Sequence, residues 1–191
     1  MDLSLTGTGI VLLSPTEHDQ FLPAVSGVHY VGNSPIVRYC WRLATEARGL
    51  ARWEYILRNV MSVVDIAGTV VIEGYAFGSQ QGTRDCIELG GIIKFHIMRS
   101  GKFPVIVPPT TLKKFVTGKG GADKSIVLLE AYKRWNLETQ DHNVADAFGL
   151  AMIGQAILYG TEGLTQFQQE VVKTLMEPKV KKARKAKGAN S

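Results

Sequence analysis

The sequence predicts an α/β domain, a mixed β-sheet with helices on both faces. Three observations carry that prediction. The chain of 191 residues is 45% hydrophobic and 20% charged, which is ordinary globular material for one domain with a sizeable core. Short apolar runs bounded by glycine or proline, above all Gly68–Gly78 (GTVVIEGYAFG), read as strands buried on both faces. In the second half such runs alternate with stretches of three- and four-residue apolar period, the order of parallel βαβ units.

Taken in order, Gly9–Leu13 (GIVLL) is a strand, ended by Ser14-Pro15. Val25–Val31, edged by Gly27 and Gly32, is a second strand, and the two form an antiparallel meander. Pro35–Ala47 reads as a loop or an ill-defined helix with Trp41 and Arg42 partly exposed. From Arg48 to Val64 the period changes: Leu50, Trp53, Ile56, Leu57, Val60, Met61 and Val64 line one face of an amphipathic helix. The strand ending on Glu73 follows. A helix is expected over Thr83–Met98, with Ile87, Leu89, Ile92, Ile93 and Phe95 apolar. Gly90-Gly91 in its middle is unfavourable by propensity and reads as a place for close backbone packing. Phe103–Val107 is a strand stopped by Pro108-Pro109. Thr110–Lys124 (TTLKKFVTGKGGADK) is a short helical turn leading into a glycine-rich loop. Asp123–Trp135 restarts a helix, with Ile126, Leu129, Ala131 and Tyr132 among its apolar positions. Asn143–Leu158 (NVADAFGLAMIGQAIL) is a helix with one polar end and a buried body, and Thr165–Met176 is a final helix. Residues 1–176 are read as one domain and 177–191 as a basic, disordered tail.

Charge narrows the function. Lys and Arg number 22 against 17 for Asp and Glu, a net +5. The tail Lys179–Lys187 (KVKKARKAK) holds six of the cations and no acid, and such a run seeks phosphates. The alternative for the tail is plain solvation. Nucleic-acid contact is favoured because a second basic region, Lys113–Lys124, lies inside the fold. No apolar run approaches the roughly 20 residues of a membrane span. Met1-Asp2-Leu3 lacks the basic start and apolar stretch of a signal peptide, so a cytoplasmic location is expected (a host cytoplasm if the chain is phage-encoded). Cys40 and Cys86 match no metal spacing and read as reduced thiols.

Three acids stand out. Glu73 closes a buried strand, where a carboxylate needs a cation or donors, and strand carboxyl ends are where open α/β sheets present a site. The alternative is an N-cap or an ion pair with Arg84. Asp146 sits one turn into the last core helix among apolar neighbours; the alternative there is stabilisation by the helix dipole. Asp2 stands just before the turn that feeds the first strand. Mg²⁺ takes oxygen ligands and keeps several waters, so carboxylates from separate elements suffice to hold it. Two such ions about 3.5–4 Å apart serve phosphodiester hydrolysis. Asp2, Glu73 and Asp146 are therefore the candidate ligands of a metal nuclease.

At these residues the chain resembles RuvC-type Holliday-junction resolvases, of the ribonuclease H-like/retroviral-integrase superfamily, and looks most like the phage-encoded members. The resemblance runs from about Met1 to Leu158. Asp2–Gly9 (DLSLTGTG) looks like the first-acid motif and Val71-Ile72-Glu73 like the second. Pro108–Lys124 resembles the lysine-bearing segment that ends in an acid–lysine pair, here Asp123-Lys124. Asn143–Ala147 (NVADA) looks like the helix motif that completes the metal site.

The resemblance implies a ribonuclease H-like mixed sheet and a homodimer that binds branched DNA. It implies paired nicks in four-way junctions with Mg²⁺ or Mn²⁺, two ions per site. Asp2, Glu73 and Asp146 would be metal ligands. Lys113 and Lys124 match lysines that approach the phosphate, and Lys114 and Lys119 beside them are candidate DNA contacts. Phe77, or else Tyr75, falls where the family places an aromatic that stacks on bases; core packing is the alternative for both. Two departures stand out. The family has an acid or His one turn before the final Asp. This chain has Asn143, which ligates through its carbonyl without charge, with His142 a lower-ranked substitute. Only Met1 precedes Asp2, where the family has several strand residues. The expected function is a junction-resolving endonuclease. The alternatives are a broader flap or fork nuclease and a non-catalytic junction-binding protein.

Overall fold

The computed structural model of the protein describes residues 1, 8–14, 37–43, 45–75 and 83–177. The first strand, β1 (Thr8–Ser14), pairs antiparallel with β2 (Val37–Leu43), Val11 standing opposite Cys40. Helix α1 (Gly49–Ile66) follows, then β3 (Val71–Glu73), α2 (Thr83–Arg99) and β4 (Val105–Val107). β3 and β4 are parallel, with Ile72 opposite Ile106, as a strand–helix–strand unit requires. Four further helices follow among the described residues: α3 (Pro109–Thr117), α4 (Lys124–Trp135), α5 (His142–Tyr159) and α6 (Gln166–Met176). Thr165 and Gln168 close a capping box at the start of α6, which satisfies orphan donors of its first turn.

Two hydrophobic cores lie on opposite faces of these strands. Side chains alternate along a strand, and the two clusters divide accordingly. Ile10, Leu12, Val70 and Ile72 pack with α1 and α2, together with Met1 and Ile106. Val11, Leu13, Val71, Val105 and Val107 pack with α3 to α6, where α5 supplies Val144, Ala145, Phe148, Leu150 and Ile153. α5 is therefore the central helix of one face, and its nearly unbroken apolar sequence reflects burial on most of its circumference.

Among the described residues the strands form two two-stranded ladders, β1–β2 and β3–β4. Met1 adds to the second. Its amino group donates to the Val71 carbonyl at 2.7 Å, and its carbonyl accepts from the Glu73 amide at 3.1 Å. That is the bonding of a residue parallel to Ile72.

Several expectations are corrected. Pro35–Ala47 contains a strand, β2, in place of a loop or helix. Its alternation is broken by arginines, and only pairing with β1 makes it a strand. On α2 the buried positions are Leu89, Ile93 and Ile97, while Ile87, Ile92 and Phe95 are exposed. On α4 the buried positions are Val127 and Ala131; Ile126, Leu129 and Tyr132 face outward. Each helix carries apolar residues on more than one stripe, and the neighbouring element decides which stripe is covered. At position 90 the close approach is by a side chain: a Cβ there would come within 2.5 Å of the Tyr75 hydroxyl oxygen. Phe103, expected in the fourth strand, is exposed and precedes it. The expected strand Val25–Val31, the ends of the chain at Asp2 and from residue 178, and Phe77 lie outside the described residues.

Candidate active site

The start of α5 is held in place from two sides. Asp141 is its N-cap: one carboxylate oxygen accepts from the backbone N–H of Asn143 at 2.8 Å and of Val144 at 3.3 Å. The other oxygen lies 3.1 Å from Nε of Arg42 on β2. An N-cap carboxylate satisfies donors that the helix itself cannot, and here the same group ties the helix to the sheet. β1 closes from the other side. A Cβ at Gly9 would overlap the Asn143 carbonyl oxygen and come within 3.2 Å of the Ala147 side chain. Only glycine lets this strand lie so close to the first turn of α5.

This anchoring sets the attitude of Asn143 and Asp146, three residues apart and so on one side of the helix. Both are half-buried, as is His142, whereas Ala145, Ala147 and Phe148 on either side of Asp146 are fully buried.

Glu73 is half-buried at the end of β3. Because it shares the parity of Val71, which belongs to the core built on α5, its side chain points to the face that α5 covers. The end of β3 abuts the end of β4: the Gly74 amide donates to the Val107 carbonyl at 2.7 Å. α3 starts at once from Pro108, its N-cap. The glycine-rich loop after α3 folds back on that start, for a Cβ at Gly120 would sit 3.0 Å from the Thr110 carbonyl oxygen. The carboxyl ends of both parallel strands, the first turn of α3 and the loop carrying Lys119 thus converge, as expected for a site in an α/β sheet.

The lysines differ in their surroundings. Lys113 is half-buried, while Lys119 and Lys124 are exposed, the latter as the first residue of α4. Lys114 lies 3.4 Å from the Glu170 carboxylate of α6, a partly exposed pair worth little to stability. Tyr75 is laid on α2. Its hydroxyl donates to the Ile87 carbonyl at 3.0 Å, and Lys94 Nζ stands 3.8 Å from the ring centroid. Asp2 and Phe77 lie outside the described residues.

The candidate residues are uniform in kind: the carboxylates at 73 and 146 and the amide carbonyl at 143 would offer hard oxygen donors. That chemistry suits Mg²⁺ or Mn²⁺ and not a soft-metal site. Among the described residues no group of three or more His, Cys, Asp or Glu stands together. Among them, too, no helix is long and apolar enough to cross a membrane.

The Arg42–Asp141 link is not legible in the sequence. Asp141 carries a signal, a capping residue just before an apolar helical run. Arg42 carries none, because its partner is distant in the chain.

No protein-family model matches the chain. A curated protein, the crossover junction endodeoxyribonuclease RuvC of Synechococcus sp. (strain CC9311), is 31% identical over 85 residues, 44% of this chain and 53% of that protein. The chain thus spans about half the length of the curated relative it matches. Two solved structures of Thermus thermophilus RuvC resemble this fold at 17% identity. One superposes with a TM-score of 0.57 over 79% of this chain and 88% of that one. The other, RuvC in complex with a Holliday junction substrate, gives 0.59 over 79% and 87%. The α/β architecture described above is therefore the ribonuclease H-like fold of RuvC.

Proposed function

We propose that this protein is a divalent-metal-dependent endonuclease that resolves four-way DNA junctions by paired nicks, acting as a homodimer in the cytoplasm. The observation that carries this reading is the placement of Glu73. A half-buried acid ends a core strand on the face covered by α5, and the start of α5 carries Asn143 and Asp146, in a chain with the RuvC fold. Met1 is bonded beside Glu73, one peptide bond from Asp2. Glu73, Asp146 and Asp2 would hold the ions, with the Asn143 carbonyl in place of a fourth charged ligand and His142 next in rank. Bound Mg²⁺ or Mn²⁺ would supply positive charge at the scissile phosphate and a water of lowered pKa.

The remaining roles fall to the protein. Lys113 and Lys124 would neutralise the phosphate, and Lys114 and Lys119 would contact the DNA backbone. Phe77 or Tyr75 would stack on unpaired bases. Water adds to phosphorus as the bond to the 3′-oxygen breaks, leaving a 5′-phosphate. The unit that does this is residues 1–176, with 177–191 a basic extension that adds phosphate contacts.

The test is cleavage of an immobile four-way junction in Mg²⁺ and in Mn²⁺, beside flap and fork substrates. Junction nicking in symmetric pairs is expected, lost in Asp146→Asn with junction binding retained. Equal cutting of flaps and forks would make the enzyme a broader nuclease. Binding without cleavage in either metal would make it a non-catalytic junction binder, the reading that an uncharged residue at position 143 favours.

A further inference from the structure

The turn after α3 is bonded through most of its length. Gly118 takes a positive φ of 83° and caps the helix, its amide donating to the Lys114 carbonyl at 2.8 Å. The Thr117 hydroxyl donates to the Lys113 carbonyl at 2.8 Å and accepts from the Lys119 amide at 3.1 Å. The Ala122 amide then donates to the Lys119 carbonyl at 3.3 Å. A glycine-rich run loses much conformational freedom when it is fixed, yet here Lys119 is bonded through both of its backbone groups.

Two side chains from other helices lock this turn. From the last turn of α4, Arg134 Nε donates to the Val116 carbonyl at 2.8 Å, one of those that the end of a helix leaves without a helical donor. A second guanidinium nitrogen pairs with Glu130 at 3.0 Å. The group lies 5.2 Å from the centre of the Phe167 ring of α6. That ring also packs against the turn: a Cβ at Gly118 would meet it at 3.6 Å. One turn further along α6, Glu170 lies against Lys114. Arginine alone can make these three contacts at once, because its planar fork carries separate donors and a flat face that stacks. Lysine would keep the charge and lose the geometry.

We infer that Arg134 and Phe167 are positioning residues for Lys119. They fix the turn from Thr117 to Ala122 before DNA arrives, so that Lys119, exposed within it, meets a phosphate without the loop first having to be ordered. Binding is then spared the entropy of immobilising a glycine-rich segment. Affinity comes to depend on two residues that touch no phosphate. This role rests on the proposed function only in taking Lys119 as a DNA contact.

The full chain is titrated with a labelled four-way junction in EDTA over a series of salt concentrations, and amide exchange is followed without DNA. Arg134→Lys keeps the net charge. It should speed exchange at Lys119 and Ala122 at least about tenfold and weaken junction binding about three- to tenfold, with the slope of log affinity against log salt unchanged. Phe167→Ala should act in the same direction. Lys119→Ala should reduce that slope by about 0.9, and in its background Arg134→Lys should cost less than about twofold. Parental affinity in folded Arg134→Lys, with or without faster exchange, would overturn the inference. So would an equal loss from Arg134→Lys with and without Lys119. If the parental chain bound no junction at all, the proposed function would fall, and with it the ligand assigned to Lys119.

Discussion

The two faces of the sheet are built from the same strands and put to different uses. Against α1 and α2 the strands present Ile10, Leu12, Val70, Ile72 and Ile106, aliphatic throughout, and the layer contributes packing. Against α5 they present Val11, Leu13, Val71 and Val107, an equally apolar row. On this second face, however, the row ends on Glu73, and the covering helix begins with Asp141, His142, Asn143 and Asp146. The difference shows where a fold of this kind tolerates acids. Mid-sheet, a carboxylate would be desolvated without donors. Where a strand ends and a helix begins, backbone N–H groups are available, and the helix terminus favours negative charge. The capping of α5 by Asp141 uses that end of the helix, and Asp146 lies in its first turns.

Neighbouring residues of β3 offer the sharpest way to break this comparison. Glu73→Gln should lower junction cleavage at least about a hundredfold, while the thermal midpoint moves by less than about 3 °C. Cleavage at the parental rate would remove Glu73 from the site. One residue earlier on the opposite face, Ile72→Ala leaves a void in a fully buried position. It should cost about 2–4 kcal/mol in denaturant unfolding, with unchanged cleavage per folded molecule. A matching fall in the folded enzyme's rate would mean that the two faces are not separable. Gly9→Ala should fall between the two. Its Cβ would displace the Asn143 carbonyl, costing about 1–3 kcal/mol and weakening Mn²⁺ binding in calorimetry; a variant that loses neither would show that β1 yields without moving α5. The smallest effects belong to the anchor. Asp141→Ala removes the cap and should cost about 1 kcal/mol. Arg42→Ala, at a pair half open to solvent, should cost less than about 1 kcal/mol. If the double variant equals the sum of the singles, the link across to β2 contributes no coupling energy.

Much of the fold is legible in the residues. Val71-Ile72-Glu73 reads as a core strand because β-branched residues between glycines have few other uses, and Arg48–Val64 reads as a helix from its period alone. The body of α5 and the capping box at Thr165 are equally local. β2 is not legible, because Arg38 and Arg42 interrupt its alternation and its partner lies across a long intervening segment. The outward face of α4 is misread for a related reason. Ile126, Leu129 and Tyr132 form as good an apolar stripe as Val127 and Ala131, and only the neighbouring helices decide between them.

For the candidate site the division is the same. The sequence alone determines which residue types stand at strand ends and helix starts: an acid closing a buried strand, an Asp one turn into an apolar helix, and lysines around a glycine-rich loop. Those features depend on a few adjacent residues, where propensity, capping and period act. Tertiary structure decided that Glu73 faces α5 and not α2, and that Gly9 and Arg42 hold the start of α5. Each of these depends on surfaces contributed by distant parts of the chain. No local pattern contains that information, because burial is a property of the surfaces that meet.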